Sequence, residues 1–417
     1  MNLVKSKSLL DWLTELENRH QQEIQLGLDR VKQVGSLLKL LDLNALIITV
    51  AGTNGKGTTV SALESIYSQA GYKVASYTSP HLIKFNERIR INQQPIADEE
   101  LTAAFTAIDG ARGDIPLTYF EMTTLAALWC FKQHDLDVIV LEVGLGGRLD
   151  AVNCIDTDLA IITTIDYDHE AYLGNTLEAI GYEKAGIIRH KKPIIYADKN
   201  PPQSIIQHAL SCAAPMYRYG HEYSYQVHEK ITFTFNGNRI VLPNIPLHAN
   251  SIAAALMATF CLQEQLPVNL QHRIEGIAEI NLAGRLQLIT HPHKTILDVA
   301  HNPQATEYLA KYLMTNYANV RIHAVFSAFA DKDIVTMIKP FKSCIQHWYP
   351  ALLSGKRAAS ASQLLSSLEA NEIYINKCYN TPFLAYQAAC KQVNKHDLIV
   401  VFGSFIIVGT VLSTLYQ

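Results

Sequence analysis

The chain has 417 residues, 48% hydrophobic and 18% charged, with a net charge of −3. That length is long for a single core and predicts two domains. The charge balance excludes general attraction to nucleic acid, and the one dense basic run, Arg189-His190-Lys191-Lys192, is short and leads into Pro193. The seven cysteines form no Cys-x-x-Cys pair and suit reduced thiols in a cytoplasmic protein.

In chain order, Leu9, Leu10, Leu13 and Leu16 interleave with Asp11, Glu15 and Glu17, which suits an amphipathic helix and not a signal peptide. Residues 46–50 are an apolar run expected to form a buried strand, and residues 60–70 a helix. Between them runs Val50-Ala51-Gly52-Thr53-Asn54-Gly55-Lys56-Gly57-Thr58-Thr59. Strand, glycine loop with one lysine, then helix is the layout of a phosphate cradle: backbone N–H groups, a helix dipole and a full positive charge converge on an anion. The general P-loop pattern is departed from twice. Val50 stands where the first glycine belongs, and Gly57 separates Lys56 from the hydroxyl residue. The plain alternative is a glycine-rich turn with a surface lysine.

A strand over 73–77 leads into Thr78-Ser79-Pro80-His81-Leu82 and on to Glu87-Arg88, at a strand's carboxyl end, where ligands bind in open α/β sheets. Residues 99–108 and 123–133 read as helices, and 138–143 and 159–164 as strands covered on both faces. Glu142 ends one of these strands, ahead of Gly144-Leu145-Gly146-Gly147-Arg148-Leu149-Asp150; a carboxylate there can hold Mg²⁺ against phosphates. Asp166-Tyr167-Asp168-His169-Glu170 follows the next strand, with His169 open as ligand, base or cap. Lys184 falls near the C-terminus of a helix over 177–185, where the dipole alone would favour a solvent-facing cation. A strand over 193–196 follows. The alternation predicts a parallel, doubly wound sheet.

From about Met216 the texture changes. Residues 217–227 and 230–242 alternate, and Asn236-Gly237-Asn238 is a hairpin signal, so a small antiparallel sheet is expected, then a helix over 250–265. A second alternation runs from 295 to the end: strands at 295–299, 321–326 and 347–350, helices at 303–317, 332–340 and 360–368, and an apolar segment at 382–393. Residues 398–416 carry no charge but contain Gly403-Ser404, and read as a strand, a turn and a packed helix in preference to a membrane anchor. Arg285 and Asp298 near a domain boundary suit a nucleotide held between domains, against the simpler reading of Asp298 as a helix cap. The expected fold is α/β: a P-loop parallel-sheet ATPase domain over 1–283 with a small antiparallel sheet, then a smaller Rossmann-like domain over 284–417.

Taken in order, Gly-Thr-Asn-Gly-Lys-Gly-Thr (52–58), Ser-Pro-His-Leu (79–82) with Glu-Arg-Ile (87–89), Leu-Glu-Val-Gly-Leu-Gly-Gly-Arg-Leu-Asp (141–150), Asp-His (168–169), Glu-Lys-Ala-Gly-Ile (183–187) and Asp-Val-Ala-His-Asn-Pro (298–303) resemble the folylpolyglutamate synthase family of the Mur-ligase superfamily, and within it the members that are also dihydrofolate synthases. The resemblance runs over nearly the whole chain. It implies that Gly52, Thr53, Asn54, Gly55, Lys56, Gly57 and Thr58 cradle ATP, with Asn250, Arg285 and Asp298 as further ATP contacts and His301 in the catalytic set with Lys56 and Lys184. It implies Mg²⁺ on Ser79, Glu142 and His169, and a carbamylated Lys184 acting as a carboxylate-like ligand. It implies a dihydropteroate site on Leu26, Gly27 and Leu28, on Thr118, Tyr119, Phe120 and Glu121, and on Leu149, Asp150 and Ala151. Val152, and Ile406-Ile407 after Gly403-Ser404-Phe405, depart from the family's usual residues.

The implied reaction is ATP-dependent addition of L-glutamate to dihydropteroate and to reduced folates through an acyl phosphate. The implied enzyme is a cytoplasmic monomer without nucleic-acid or membrane partners. The alternatives are a monofunctional folylpolyglutamate synthase, a cell-wall Mur ligase, for which only about fifty residues precede the loop, and a non-catalytic nucleotide switch.

Overall fold

The computed structural model describes residues 7–19 and 24–415, so the last residue of the uncharged run, 416, lies outside it. Contacts divide the chain into two units: one runs to Ser79 and resumes over Asn86–Asn281, and the other joins Pro80–Phe85 to the residues from Leu282 onward.

In the first unit the strands are β1 (Leu46–Ala51), β2 (Val74–Tyr77), β3 (Ile89–Ile91), β4 (Gln94–Pro95), β5 (Val138–Glu142), β6 (Leu159–Ile162), β7 (Ile194–Tyr196) and β8 (Met216–Arg218). They form one sheet in the order β4-β3-β2-β5-β1-β6-β7-β8. β2 to β8 are parallel across the middle, and β3 and β4 add an antiparallel edge. The central strands are almost wholly buried and mostly apolar because helices cover both faces. Register pairs Val50 with Glu142, Tyr77 with Leu141 and Ala51 with Ile162. The segments singled out after β1, β2, β5 and β6 therefore leave the sheet side by side at one edge.

The helix Lys56–Gln69 is buried on nearly every side, from Thr58 through Tyr67. It is held between the sheet and the helices Ala249–Cys261 and Leu270–Ala278. The last of these approaches so closely that a Cβ on Gly276 would sit 2.5 Å from Ile66 Cα, and Ser65 Oγ donates to Gly276 O at 2.6 Å. Such an axis is rigid, which suits a helix whose first turn presents amides to a ligand.

The stretch 217–227 is not one strand. β8 completes the parallel sheet, and β9 (Tyr223–Val227), β10 (Lys230–Phe235) and β11 (Asn238–Pro243) form the separate antiparallel sheet. Asn236 and Gly237 both have positive φ, 46° and 75°, as a two-residue hairpin turn requires. The helix expected from 123 begins instead at Tyr119, because Thr118 and Glu121 form a reciprocal capping box.

The second unit carries β12 (Gln287–Ile289), β13 (Thr295–Leu297), β14 (Ile322–Phe326), β15 (His347–Pro350) and β16 (Leu398–Phe402), in the order β12-β13-β16-β14-β15. All but β12 are parallel. The uncharged C-terminal run resolves into β16, central in this sheet, and the helix Phe405–Leu415, which buries Ile407, Val408, Val411 and Leu412. Among the described residues no helix is long and apolar enough to cross a membrane. Gly403 makes the turn at φ 112°, with a Cβ there only 1.9 Å from Ser327 O. Pro80–Phe85 lies against this C-terminal helix: a Cβ on Gly409 would fall 2.1 Å from Leu82 O. All seven cysteines are free.

Candidate functional site

The glycine loop is held from its far side by the exit of β6. Thr53 N donates to Thr164 O (2.8 Å), Asn54 N to Thr164 Oγ1 (3.0 Å), and Thr163 Oγ1 to Asn54 O (2.6 Å). The contact is tight enough that a Cβ on Gly52 (φ 144°) would sit 1.8 Å from Thr163 Oγ1. Gly55 (φ 85°) turns the chain into the helix, and Ser251 Oγ donates to its carbonyl at 3.1 Å. Asn250 stands beside that contact, its Oδ1 accepting from Ser251 N at 2.9 Å.

The amides of Thr53 and Asn54 are thus engaged within the protein. The anion-binding amides fall to the first turn of the helix from Lys56, where helix geometry provides no internal acceptor. Lys56 Nζ lies over the loop and donates to Gly52 O (2.9 Å) and Thr53 O (3.3 Å).

Thr58 Oγ1 is buried without a hydrogen-bond partner. A buried hydroxyl in that condition is costly unless a ligand completes it. Glu142 is buried at the end of β5, its Oε2 accepting from Ser79 N at 3.2 Å. A Cβ on Gly57 would lie 3.8 Å from the same oxygen, an ordinary contact distance that puts the carboxylate next to the first helical turn. An orphaned hydroxyl, a carboxylate and a second hydroxyl residue at one sheet edge are a hard-oxygen donor set that fits Mg²⁺ or Mn²⁺ bound with phosphate.

Among the described residues no three His, Cys, Asp or Glu side chains gather as a metal-binding group. His169 has a left-handed backbone (φ 53°), and its ring does not cap the short helix that follows, which removes one of its three possible roles.

Lys184 does not face solvent. It is 4% exposed, and burial, with Lys56 nearby, lowers its pKa from 10.5 to about 7, against the pull of Asp168 and Asp150. Its amine is therefore neutral for a substantial fraction of the time near pH 7, and the neutral form is nucleophilic. Asp150 is also buried; desolvation raises its pKa to about 6 although Leu145 N and Val152 N donate to it, at 2.7 and 3.0 Å.

The segments carrying the expected dihydropteroate site come together. Gly27 N donates to Leu149 O (3.1 Å), and Arg30 pairs with Glu121 at 3.0 Å. Phe120 packs on Gly144, where a Cβ would be 2.5 Å from its Cζ, and Arg88 lies 5.7 Å from the Tyr119 ring centroid. Thr118 and Glu121 have a local duty as well, the capping box that the sequence reading missed although the Thr-x-x-Glu spacing announced it.

In the second unit Asp298 does not cap a helix; Asn302 does, accepting from Ala305 N at 3.0 Å ahead of Pro303. Asp298 accepts from Leu286 N (2.9 Å) and Ala300 N (2.8 Å), which shapes the turn that carries Arg285; burial raises its pKa and Arg285 opposes that rise. His301 Nδ1 donates to Val299 O (2.8 Å), leaving Nε2 as the acceptor nitrogen of the neutral ring. Phe405 packs near both, 5.3 Å from the Arg285 guanidinium and 5.8 Å from the His301 ring.

Two family models match this chain: the Mur ligase middle domain over residues 50–263, and the Mur ligase glutamate ligase domain over 284–405. The fold is that of an ATP-dependent amino-acid ligase of the Mur type. The chain is 42% identical to the dihydrofolate synthase/folylpolyglutamate synthase of Escherichia coli K12, over 98% of this chain and 95% of that protein. The structure of E. coli FolC in complex with DHPP and ADP superposes with a TM-score of 0.94 at 42% identity, covering 99% of this chain and 98% of that one. A bifunctional folylpolyglutamate synthase/dihydrofolate synthase with Mn, AMPPNP and L-glutamate bound gives a TM-score of 0.91 at 39% identity, over 99% of both chains. The chain belongs to the dihydrofolate synthase/folylpolyglutamate synthase family.

Proposed function

We propose that this ligase joins L-glutamate to dihydropteroate and to reduced folates, driven by ATP. The observation that supports the reading best is the buried, partnerless hydroxyl of Thr58 in the first turn of the loop's helix, a turn that Glu142 approaches at Gly57. A carboxylate resists amide formation because oxide is a poor leaving group. Transfer of the γ-phosphoryl group to it gives an acyl phosphate; the glutamate amine attacks the acyl carbon and phosphate departs.

In this proposal Gly52–Thr58 bind the triphosphate, and Lys56 leaves the loop carbonyls to offset charge on the transferring group. Mg²⁺ on Ser79, Glu142 and His169 would add charge neutralisation. Asn250, Arg285 and Asp298 contact the nucleotide, and His301 belongs to the catalytic set. Leu26–Leu28, Thr118–Glu121 and Leu149–Ala151 form the pterin-side pocket. Lys184 reacts with CO₂ through its neutral amine, forming an N–C bond and releasing a proton, and the carbamate takes the place of a carboxylate ligand; its burial and lowered pKa support this. The enzyme is taken to be a cytoplasmic monomer with working domains at 1–283 and 284–417.

One assay tests the reading. ADP release should require glutamate and respond both to dihydropteroate and to a reduced folate. Response to the folate alone would indicate the monofunctional alternative, and response to neither removes the proposal. Lys56→Ala should abolish turnover with the fold retained by circular dichroism; near-parental ADP release would refute the assigned site.

A further inference from the structure

The helix Leu177–Ala185 that delivers Lys184 and the loop that delivers Asp150 interlock. Arg148 N donates to Glu183 O at 2.7 Å. A Cβ on Gly147 would lie 2.8 Å from Glu183 O and 3.0 Å from Lys184 Cα, and one on Gly186 would lie 2.5 Å from Arg148 Cα. Two backbones this close can be set in register by a single side chain, and one reaches both. Asn153, buried in the short 3-10 turn Ala151–Cys154, donates from Nδ2 to Arg148 O and to Gly186 O, each at 3.0 Å. Its Oδ1 accepts from Arg189 Nη2 at 2.8 Å, which sets the orientation of the amide. Arg189 in turn pairs with Asp156 and donates to Gly186 O at 3.1 Å. Asp150 moves with the same turn, because its carboxylate is bound to Leu145 N and Val152 N.

We propose that Asn153, oriented by Arg189, is a positioning residue that holds Leu149–Ala151 in register with Lys184, and so sets the spacing between the substrate carboxyl and the lysine. The inference rests on the function proposed above and concerns residues outside the nucleotide and substrate sets named there. Asn153 is one residue beyond the departure at Val152, and nothing in the sequence pattern marks it out. Its significance comes from two carbonyls that belong to separate segments.

The test uses the full chain carrying Asn153→Asp, which keeps the acceptor for Arg189 and turns the double donor into an oxygen facing two carbonyl oxygens. Arg189→Gln serves as a second variant. Michaelis constants for dihydropteroate and ATP are measured separately, and Lys184 carbamate is titrated with carbon-13 bicarbonate by NMR in the absence of nucleotide. For Asn153→Asp, kcat should fall at least about tenfold and the dihydropteroate KM should rise, while the ATP KM stays within roughly twofold. The bicarbonate needed for half-carbamylation should also rise about tenfold or more, with a smaller rise for Arg189→Gln.

A purely structural role would lower activity only in proportion to the folded fraction, leaving both KM values and the titration at parental values; that result overturns the proposal. If Asn153→Asp does not fold, Arg189→Gln decides: a shifted titration or dihydropteroate KM supports the proposal, and parental values overturn it. Failure of the parent to release ADP with glutamate would instead fall on the proposed function.

Discussion

Lys184 is the residue whose meaning changed most. Helix position alone made it a solvent-facing cation stabilised by the dipole, yet it is buried with a pKa lowered to about 7. The sign of the stability effect follows. Between pH 7 and 10.5 the unfolded chain binds a proton at this lysine and the folded chain does not, so stability rises with pH across that window. At and below pH 7 the full penalty for burial remains. Lys184→Met, in buffer free of bicarbonate, should therefore be more stable than the parent near pH 7, with the gain fading as pH approaches 10.5. Urea melts at both ends of the window check this, and a gain that grows with pH would contradict it. The same variant should be inactive. Asp298 shows the opposite limit of residue-level reading: a cap was the simpler alternative to a nucleotide contact, but its two oxygens shape the Arg285 turn, and neighbouring Asn302 caps the helix.

At the scale of elements, the glycine loop, the strands around it and the hairpin at Asn236-Gly237 were legible because their signals are local: apolar runs, turn residues and positive φ. Boundaries were less so where a cap extends an element. Thr118 and Glu121 start their helix at Tyr119, ahead of the apolar periodicity that suggested 123. Thr118→Ala removes half of the capping box and should lower stability by about 1 kcal/mol in chemical denaturation. A change below a few tenths of a kcal/mol would mean that Thr118 serves the substrate and not the helix. The division of 217–227 into β8 and β9 was invisible locally, since both halves alternate; which sheet each joins depends on distant partners, β7 for one and β10 for the other.

On the whole-molecule scale, each unit has its own core and its own optical reporters. Trp12 and Trp129 belong to the first, and Trp348 lies in the second among Phe326, Phe341 and Phe402. Two cores make a single unfolding free energy ill defined. A non-hydrolysable ATP analogue with Mg²⁺ should raise the transition followed by Trp12 and Trp129 in a Trp348→Phe background, by about 2.7 kcal/mol at a hundred times Kd. An unmoved transition would show that the cradle does not bind nucleotide.

The sequence by itself determined the order of strands and helices, the glycine loop with its lysine, and the motif succession that marks the family, because each depends on neighbours in the chain. Tertiary structure decided the rest. It placed Glu142 beside Ser79 through the register of β5 against β2, buried Lys184 and so lowered its pKa, moved Pro80–Phe85 into the second unit, and brought Arg148 O and Gly186 O within reach of one amide. Burial, charge proximity and close backbone approach depend on distances between residues far apart in sequence, and only the folded chain sets those distances.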